Sequence, residues 1–154
     1  MSSNYILKED WLDMITIHGV FGQGTVDGLK KAVLDNMDKD MGGLLIAESS
    51  SDGNFIDLEY RKKVRDLGQK NKEFIMGFIC QEKMSGEDFL YFTPGVHLDK
   101  KDDEMGQRYR SVEEALVRDD CDVVIVGRGI YQANNPGETA KKYSEEGWQS
   151  MLKK

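Results

Sequence analysis

The chain is poor in the features that would announce a specialised class. Its two cysteines, Cys80 and Cys121, make no disulfide framework and have no metal-ligand spacing among 154 residues. Each borders an apolar run, so both are expected to be buried, reduced thiols, which fits a cytoplasmic setting. No apolar run nears the roughly 20 residues of a membrane span. The opening Met1-Ser2-Ser3-Asn4-Tyr5 has neither the basic segment nor the apolar stretch of a signal peptide. Positive charge is in deficit, with 21 Lys and Arg against 28 Asp and Glu, a net charge of −7. That balance argues against nucleic acid or an anionic membrane as partner. An anionic small molecule stays open, because a local group such as Arg108, Arg110 and Arg128 can oppose the global sign. With 39% hydrophobic and 32% charged residues, the chain reads as one soluble globular domain over residues 1–154 with a real core.

Five short β-rich runs are present: Trp11 to Ile17, Gly43 to Glu48, Phe74 to Cys80, Phe89 to Pro94 and Asp122 to Gly127. None alternates cleanly, which indicates strands covered on both faces and hence a parallel sheet. Helical segments separate them. Thr25 to Met37 puts Val26, Leu29, Val33 and Met37 on one face, with Thr25 as N-cap. Asp57 to Leu67 does the same with Tyr60, Val64 and Leu67. Ser111-Val112-Glu113-Glu114 has capping-box spacing and turns Ala115 and Leu116 inward. Asn135-Pro136-Gly137-Glu138 supplies a cap, a first-turn proline and a capping-box glutamate, opening a helix that is expected to bury Tyr143, Trp148 and Leu152. Only the step from the third to the fourth strand is too short for a regular helix.

Such alternation leaves an open doubly wound sheet or a (β/α) barrel. An open dinucleotide fold should carry its glycine fingerprint after the first strand, but Gly19, Gly22 and Gly24 stand in the wrong order. The anion-like features come late instead. Gly127-Arg128-Gly129 directly follows the apolar run Asp122 to Val126, and Gly106-Gln107-Arg108-Tyr109-Arg110 lies upstream. A strand ending in a glycine-flanked arginine offers an anion a backbone nest and a guanidinium fork. Phosphate sites in the loops after strands seven and eight are frequent in barrels. Since a whole barrel takes about 250 residues, the expected fold is α/β, the C-terminal part of a TIM barrel with five parallel strands and intervening helices.

The segments Trp11-Leu12-Asp13 through His18-Gly19-Val20, Gly43 to Glu48, Gly77-Phe78-Ile79, Thr93-Pro94-Gly95-Val96, Gly106-Gln107-Arg108-Tyr109 and Val124 to Gly129 occur in that order. Together they closely resemble orotidine 5′-phosphate decarboxylase of the eukaryotic type, from about Asp10 to Leu152. Thr-Pro-Gly-Val, Gly-Gln-x-Tyr and Val-Gly-Arg-Gly form a specific combination. The resemblance implies a ribulose-phosphate-binding type of barrel, here strands four to eight, and a carboxy-lyase of pyrimidine biosynthesis that converts OMP to UMP without metal or organic cofactor. It implies a homodimer, or a complementing N-terminal barrel segment, as partner. It also implies that Arg128 grips the phosphate, that Gln107 and Tyr109 come from a loop closing over it, and that Pro94 lines that loop. Gly127 and Gly129 would let the backbone approach the phosphate, and Ser50 would contact the pyrimidine amide edge.

Each assignment has a plainer alternative. Arg128 could cap a carbonyl or pair with an acid on the barrel rim. Ser49-Ser50-Ser51-Asp52-Gly53 is a good turn without any ligand. His18 reads as a satisfied rim residue, His97 as a solvated loop residue, and Lys62-Lys63 and Lys141-Lys142 as solvent faces of helices. The family's catalytic lysine, in Asp-x-Lys-x-x-Asp after the third barrel strand, has no counterpart in this sequence. The near miss Asp99-x-Lys101-x-x-Glu104 falls in the phosphate loop and reads as hydrated surface. No residue of this sequence is therefore assigned a catalytic role, and the alternative function is a non-catalytic nucleotide-phosphate-binding or interaction protein derived from that family.

Overall fold

A computed structural model describes residues 12–36, 41–84, 88–99 and 106–154. Trp11, Met37, Lys101 and Glu104, named above, lie outside the described residues. Five strands form one parallel sheet in the order β1 (Met14–His18), β2 (Gly42–Ile46), β3 (Ile75–Ile79), β4 (Leu90–Thr93) and β5 (Val123–Val124). The expected strands are all there and mostly shorter, though β1 runs one residue further, to His18, and β2 starts one residue earlier, at Gly42. β1 and β5 are the edges, and their burial is correspondingly poor: Ile17 is the only buried side chain of β1, while Val123 of β5 is exposed.

The backbone divides into two compact units, residues 1–47 with 56–78, and residues 48–55 with 79–154. In the first, β1 and β2 pair in parallel from Met14 opposite Gly42 to His18 opposite Ile46. Helix α1 (Gln23–Asn36) starts two residues before the expected Thr25. Gly22, at φ 67°, closes a 3-10 turn over Gly19–Phe21 and leads straight into the helix, so Thr25 lies within its first turn rather than capping it. Val26 and Val33 are buried as expected. Helix α2 (Leu58–Lys70) is capped by Asp57, whose carboxylate accepts the Tyr60 N–H at 2.7 Å. Val64 is buried, and Tyr60 and Leu67 are half-buried.

One buried amide ties this unit together. Asn71, 2% exposed, closes α2 and leads into β3. Its Nδ2 donates to Leu67 O at 2.8 Å and to Gln23 Oε1 at 3.0 Å, while its Oδ1 accepts from Gln23 Nε2 and Lys30 Nζ. The same Lys30 reaches Glu73.

In the second unit a π-helical segment (Glu114–Arg118) follows the expected capping box. Ser111 Oγ accepts the Glu114 N–H at 3.1 Å and Glu114 Oε2 accepts the Ser111 N–H at 2.9 Å. A short helix α3 (Arg128–Tyr131) follows β5, and α4 (Pro136–Met151) is capped by Asn135, with Pro136 in its first turn. Tyr143 packs with Val96, Val112, Ala115 and Leu116 in a buried cluster. Trp148 and Leu152 do not join it: each is 66% exposed. The buried face of α4 runs through Tyr143 and Ser150, and at roughly 100° per residue Leu152 points to the opposite side. Cys80 and Cys121 are both buried and unbridged. A hydrogen bond with Cys80 holds the Cys121 thiol below the ordinary thiol range, against the burial that pushes it up. Among the described residues no helix is long and apolar enough to cross a membrane.

Truncating Asn71 to alanine would strand the Gln23 amide, Lys30 and the Leu67 carbonyl together. Asn71→Ala is expected to cost about 2–3 kcal/mol in urea unfolding; a midpoint equal to wild type would show that the amide is not what joins α1 to α2.

Candidate functional site

The candidate residues sit beyond the carboxyl ends of the strands, where parallel α/β sheets place their sites. Ser50 follows β2, Pro94 and Gly95 follow β4, and Arg128 opens α3 directly after β5. The 106–110 segment lies between two other loops and pairs with both. On one side Gln107 bridges Ser51 antiparallel, Arg108 N–H donates to Ser50 O at 3.2 Å, and Asp52 N–H donates to Gly106 O at 2.9 Å. On the other, Arg110 bridges Val96 in parallel, donates to Gly95 O at 2.8 Å and accepts from His97 N–H at 3.0 Å.

This pairing brings Ser50, Gly95 and Gln107 together. Gly95 has φ 75°, a conformation that side chains rarely adopt. A Cβ there would stand 2.6 Å from Ser50 Cβ, 2.8 Å from Arg108 O and 3.2 Å from Gln107 Nε2. The turn reading of Ser49 to Gly53 holds as well: Ser51 N–H donates to Ser49 Oγ at 3.2 Å.

A second group joins Tyr109 to Gly129 through His97. The rings of His97 and Tyr109 meet edge to face with centroids 5.2 Å apart. His97 Cδ2 lies 3.3 Å from the point where a Cβ on Gly129 would stand, and the Tyr143 hydroxyl is closer still. The missing side chain of Gly129 is thus required by packing alone. Gly127 stands apart from both groups. The nearest atom to its Cβ position is Tyr131 Cε1 of the same helical turn, at 3.6 Å, so an alanine would fit. Arg128 is half-buried.

Two sequence readings change. His97 is a half-buried element of the site rather than a solvated one. Arg110 does not add to an anion-facing cluster. Its guanidinium reaches Gln81 O, Asp119, Thr93 Oγ1 and Pro94 O, and its side chain is 16% exposed. Arg108 is tied to Asp52 at the surface. No periodic signal marks Arg110 in the sequence, because its partners come from three separate stretches of chain.

Burial pushes the Asp119 carboxyl up, but hydrogen bonds and charge from Arg118 and Arg110 outweigh it and hold the group below the ordinary aspartate value. A depressed folded-state pKa contributes stability in full above the unfolded value, about 4, and loses it as pH falls through the folded value. Arg110→Ala is therefore expected to cost about 3 kcal/mol at neutral pH. It should also flatten the acid limb of the stability curve, since Asp119 would then have less to lose. Urea titrations of both proteins at neutral and acid pH measure the two effects; parallel curves would dismiss the pair.

The comparisons agree in direction. The profile of the Orotidine 5'-phosphate decarboxylase / HUMPS family matches residues 1–143. The orotidine 5'-phosphate decarboxylase of Pichia kudriavzevii is 43% identical over 148 residues, 93% of this chain and 56% of its own length. That of Candida parapsilosis is 42% identical over 149 residues, 94% of this chain and 55% of its own. The chain thus spans about half the length of these curated relatives. Among solved structures, the orotidine 5'-monophosphate decarboxylase of Sulfolobus solfataricus superposes with a TM-score of 0.67 at 20% identity, covering 90% of this chain and 62% of that one. The Pyrococcus horikoshii orotidine 5'-phosphate decarboxylase gives 0.61 at 22% identity, covering 88% and 61%. These likenesses confirm the α/β barrel fold in part-length form.

Proposed function

Because this chain belongs to the Orotidine 5'-phosphate decarboxylase / HUMPS family, we propose that residues 1–154 form the phosphate-holding C-terminal part of an orotidine 5′-phosphate decarboxylase. The substrate would be a nucleoside monophosphate, OMP, and the product UMP. The observation that carries this reading is the three-loop ribbon at the strand ends, which sets Gln107 against Ser50 and Gly95, and Tyr109 beside His97. On this reading Arg128, in the turn after β5, supplies the charge on the phosphate, Gln107 and Tyr109 supply neutral donors, and Ser50 supplies a polar group for the pyrimidine edge. Pro94 fixes the turn from which Gly95 leads. The reaction needs no cofactor on this reading, and the reduced thiols suit the cytoplasm.

Loss of the substrate carboxylate leaves a poorly stabilised carbanion. A lysine ammonium can stabilise it and then deliver the proton, while a neighbouring carboxylate favours departure of the substrate's own. The phosphate, remote from that bond, supplies binding energy that orders the site. These 154 residues hold the groups for the second task, and no Asp-x-Lys-x-x-Asp for the first. Removal of a single oxyanion donor already costs about 10²–10³ in rate, and an entire charged network should cost far more. The chain alone is expected to bind UMP without turning over OMP.

Calorimetric titration of UMP onto the 154-residue chain and its Arg128→Ala variant tests the reading. At least a tenfold loss in the variant is expected, about the worth of one charged hydrogen bond. Equal affinity in the two would refute the phosphate role. Binding with no turnover, even when the missing strands are supplied, would favour the non-catalytic alternative.

The exposed edges β1 and β5 call for covering, by a second copy of the chain or by an N-terminal barrel segment of the kind the longer relatives carry. A sedimentation mass of two chains is expected in the first case. In the second, UMP formation appears on adding a fragment that carries barrel strands one to three. A monomer that the fragment leaves inactive would count against both.

A further inference from the structure

The two cysteines meet across β4, at one height in the sheet. Cys80 directly follows β3, and its N–H donates to Phe92 O at 3.0 Å. Cys121 precedes β5 on the other side, where the neighbouring Asp122 N–H donates to Tyr91 O at 2.9 Å. The Cys121 thiol is hydrogen-bonded to Cys80, and its Sγ lies 3.8 Å from both Gln81 O and Asp119 O. Gln81 and Asp119 are also the two residues that Arg110 Nη1 reaches. The thiol pair therefore sits directly beside the guanidinium that joins these stretches of chain.

We propose that Cys80 and Cys121 are a redox-sensitive pair, converted by hydrogen peroxide into an intrachain disulfide that clamps the Gln81 and Asp119 stretches around Arg110. The Cys121 sulfur reacts first, because the hydrogen bond with Cys80 and the charge of Arg110 favour its thiolate against the opposing effect of burial. It attacks one peroxide oxygen and the O–O bond breaks. A sulfenic acid forms on Cys121, and the departing hydroxide takes up the thiol proton as water. The Cys80 sulfur then attacks the sulfenic sulfur, the S–O bond breaks, and the oxygen leaves with the Cys80 proton as a second water. Two thiols thus lose two electrons and two protons, and one peroxide is reduced to two waters. Both sulfurs are buried, so the oxidant enters when the chain opens locally. Cys121 lies where opening costs least: β5 is a two-residue edge strand with Val123 exposed, and the preceding Asp120 is held at φ 55°. Closing the chain between 80 and 121 restricts the unfolded state, so the oxidised form resists unfolding. The pair stands independently of the phosphate reading.

The test treats the folded, reduced 154-residue chain with hydrogen peroxide, removes the excess, and titrates thiols in denaturant. Both thiols are expected to disappear together and to return with dithiothreitol. Digestion without reductant should yield one cross-linked pair of peptides, carrying Cys80 and Cys121 of the same chain. The urea midpoint of the oxidised chain should lie above that of the reduced chain. In Cys80→Ser, oxidation should stop at a sulfenic acid on Cys121, trapped by dimedone, and peroxide should not raise the midpoint. Thiols that both survive peroxide, a wild-type sulfenic acid that leaves Cys80 free, or a cross-link between two chains would each overturn the pair. A disulfide that leaves the midpoint unchanged or lower would overturn the clamp. Should Cys80→Ser fail to fold, the wild-type digest and midpoint decide.

Discussion

Everything at the strand ends hangs on where one guanidinium is held. Arg110 belongs to no helix or strand longer than a single bridge, yet it fastens four stretches of chain: the Gln81 carbonyl after β3, Thr93 at the end of β4 with Pro94 beyond it, Asp119 after the π-helical segment, and its own loop. A buried ion pair repays its desolvation only when its remaining donors find partners. Here both terminal nitrogens do so, with two carbonyls, a hydroxyl and a carboxylate around them, while the buried Nε–H has no hydrogen-bond partner among the described residues. A lysine, a point charge on a flexible stem, could not replace that set.

The register of the site loops follows from this anchor. With Arg110 fixed, its N–H and C=O pair with Gly95 and His97, and the ribbon is set in steps of two. Gln107 then meets Gly95, and Tyr109 meets His97. The glycine at 95 is the cost of that closeness, since the Arg108 carbonyl and Ser50 leave no room for a side chain. The glycine at 129 answers to a different neighbour, Tyr143, which caps the apolar cluster beneath α4. Two glycines that look alike in a motif are thus accounted for by separate contacts, one at the candidate site and one in the core.

Much of the fold was legible because it depends on local signals. The capping box at Ser111, the Asn135 cap and the buried faces of α1 and α2 all follow from residues three or four apart. The five strands were legible as apolar runs, though not their ends, since pairing rather than composition stops a strand. The burial of Trp148 and Leu152 was misread because hydrophobicity alone was followed there, whereas the helical period turns both off the face set by Tyr143. At the site, the resemblance made the motif residues legible as candidates. The contacts of His97 and Arg110 were not, because they depend on loops meeting across gaps of nine residues or more, which no local spacing records. Asn71 escaped for the same reason: its partners Gln23 and Lys30 lie on the other helix of its unit.

The sequence also separates two tasks that an orotidine decarboxylase must combine. Holding a phosphate lowers the energy of bound substrate and of transition state alike, because the phosphate is unchanged by the reaction. Such uniform binding raises no rate by itself. It becomes useful only when closing over the phosphate brings up groups that favour the developing charge more than the starting carboxylate. On the proposed reading the ribbon that carries Gln107 and Tyr109 performs the first task, with Arg128 supplied separately by the turn after β5. On the same reading the lysine and carboxylates of the second would be supplied by another segment, since these 154 residues hold no Asp-x-Lys-x-x-Asp. A grip of this kind can persist as a binding site whatever becomes of the chemistry, since its geometry is fixed by Arg110 and the sheet end rather than by any group that reacts.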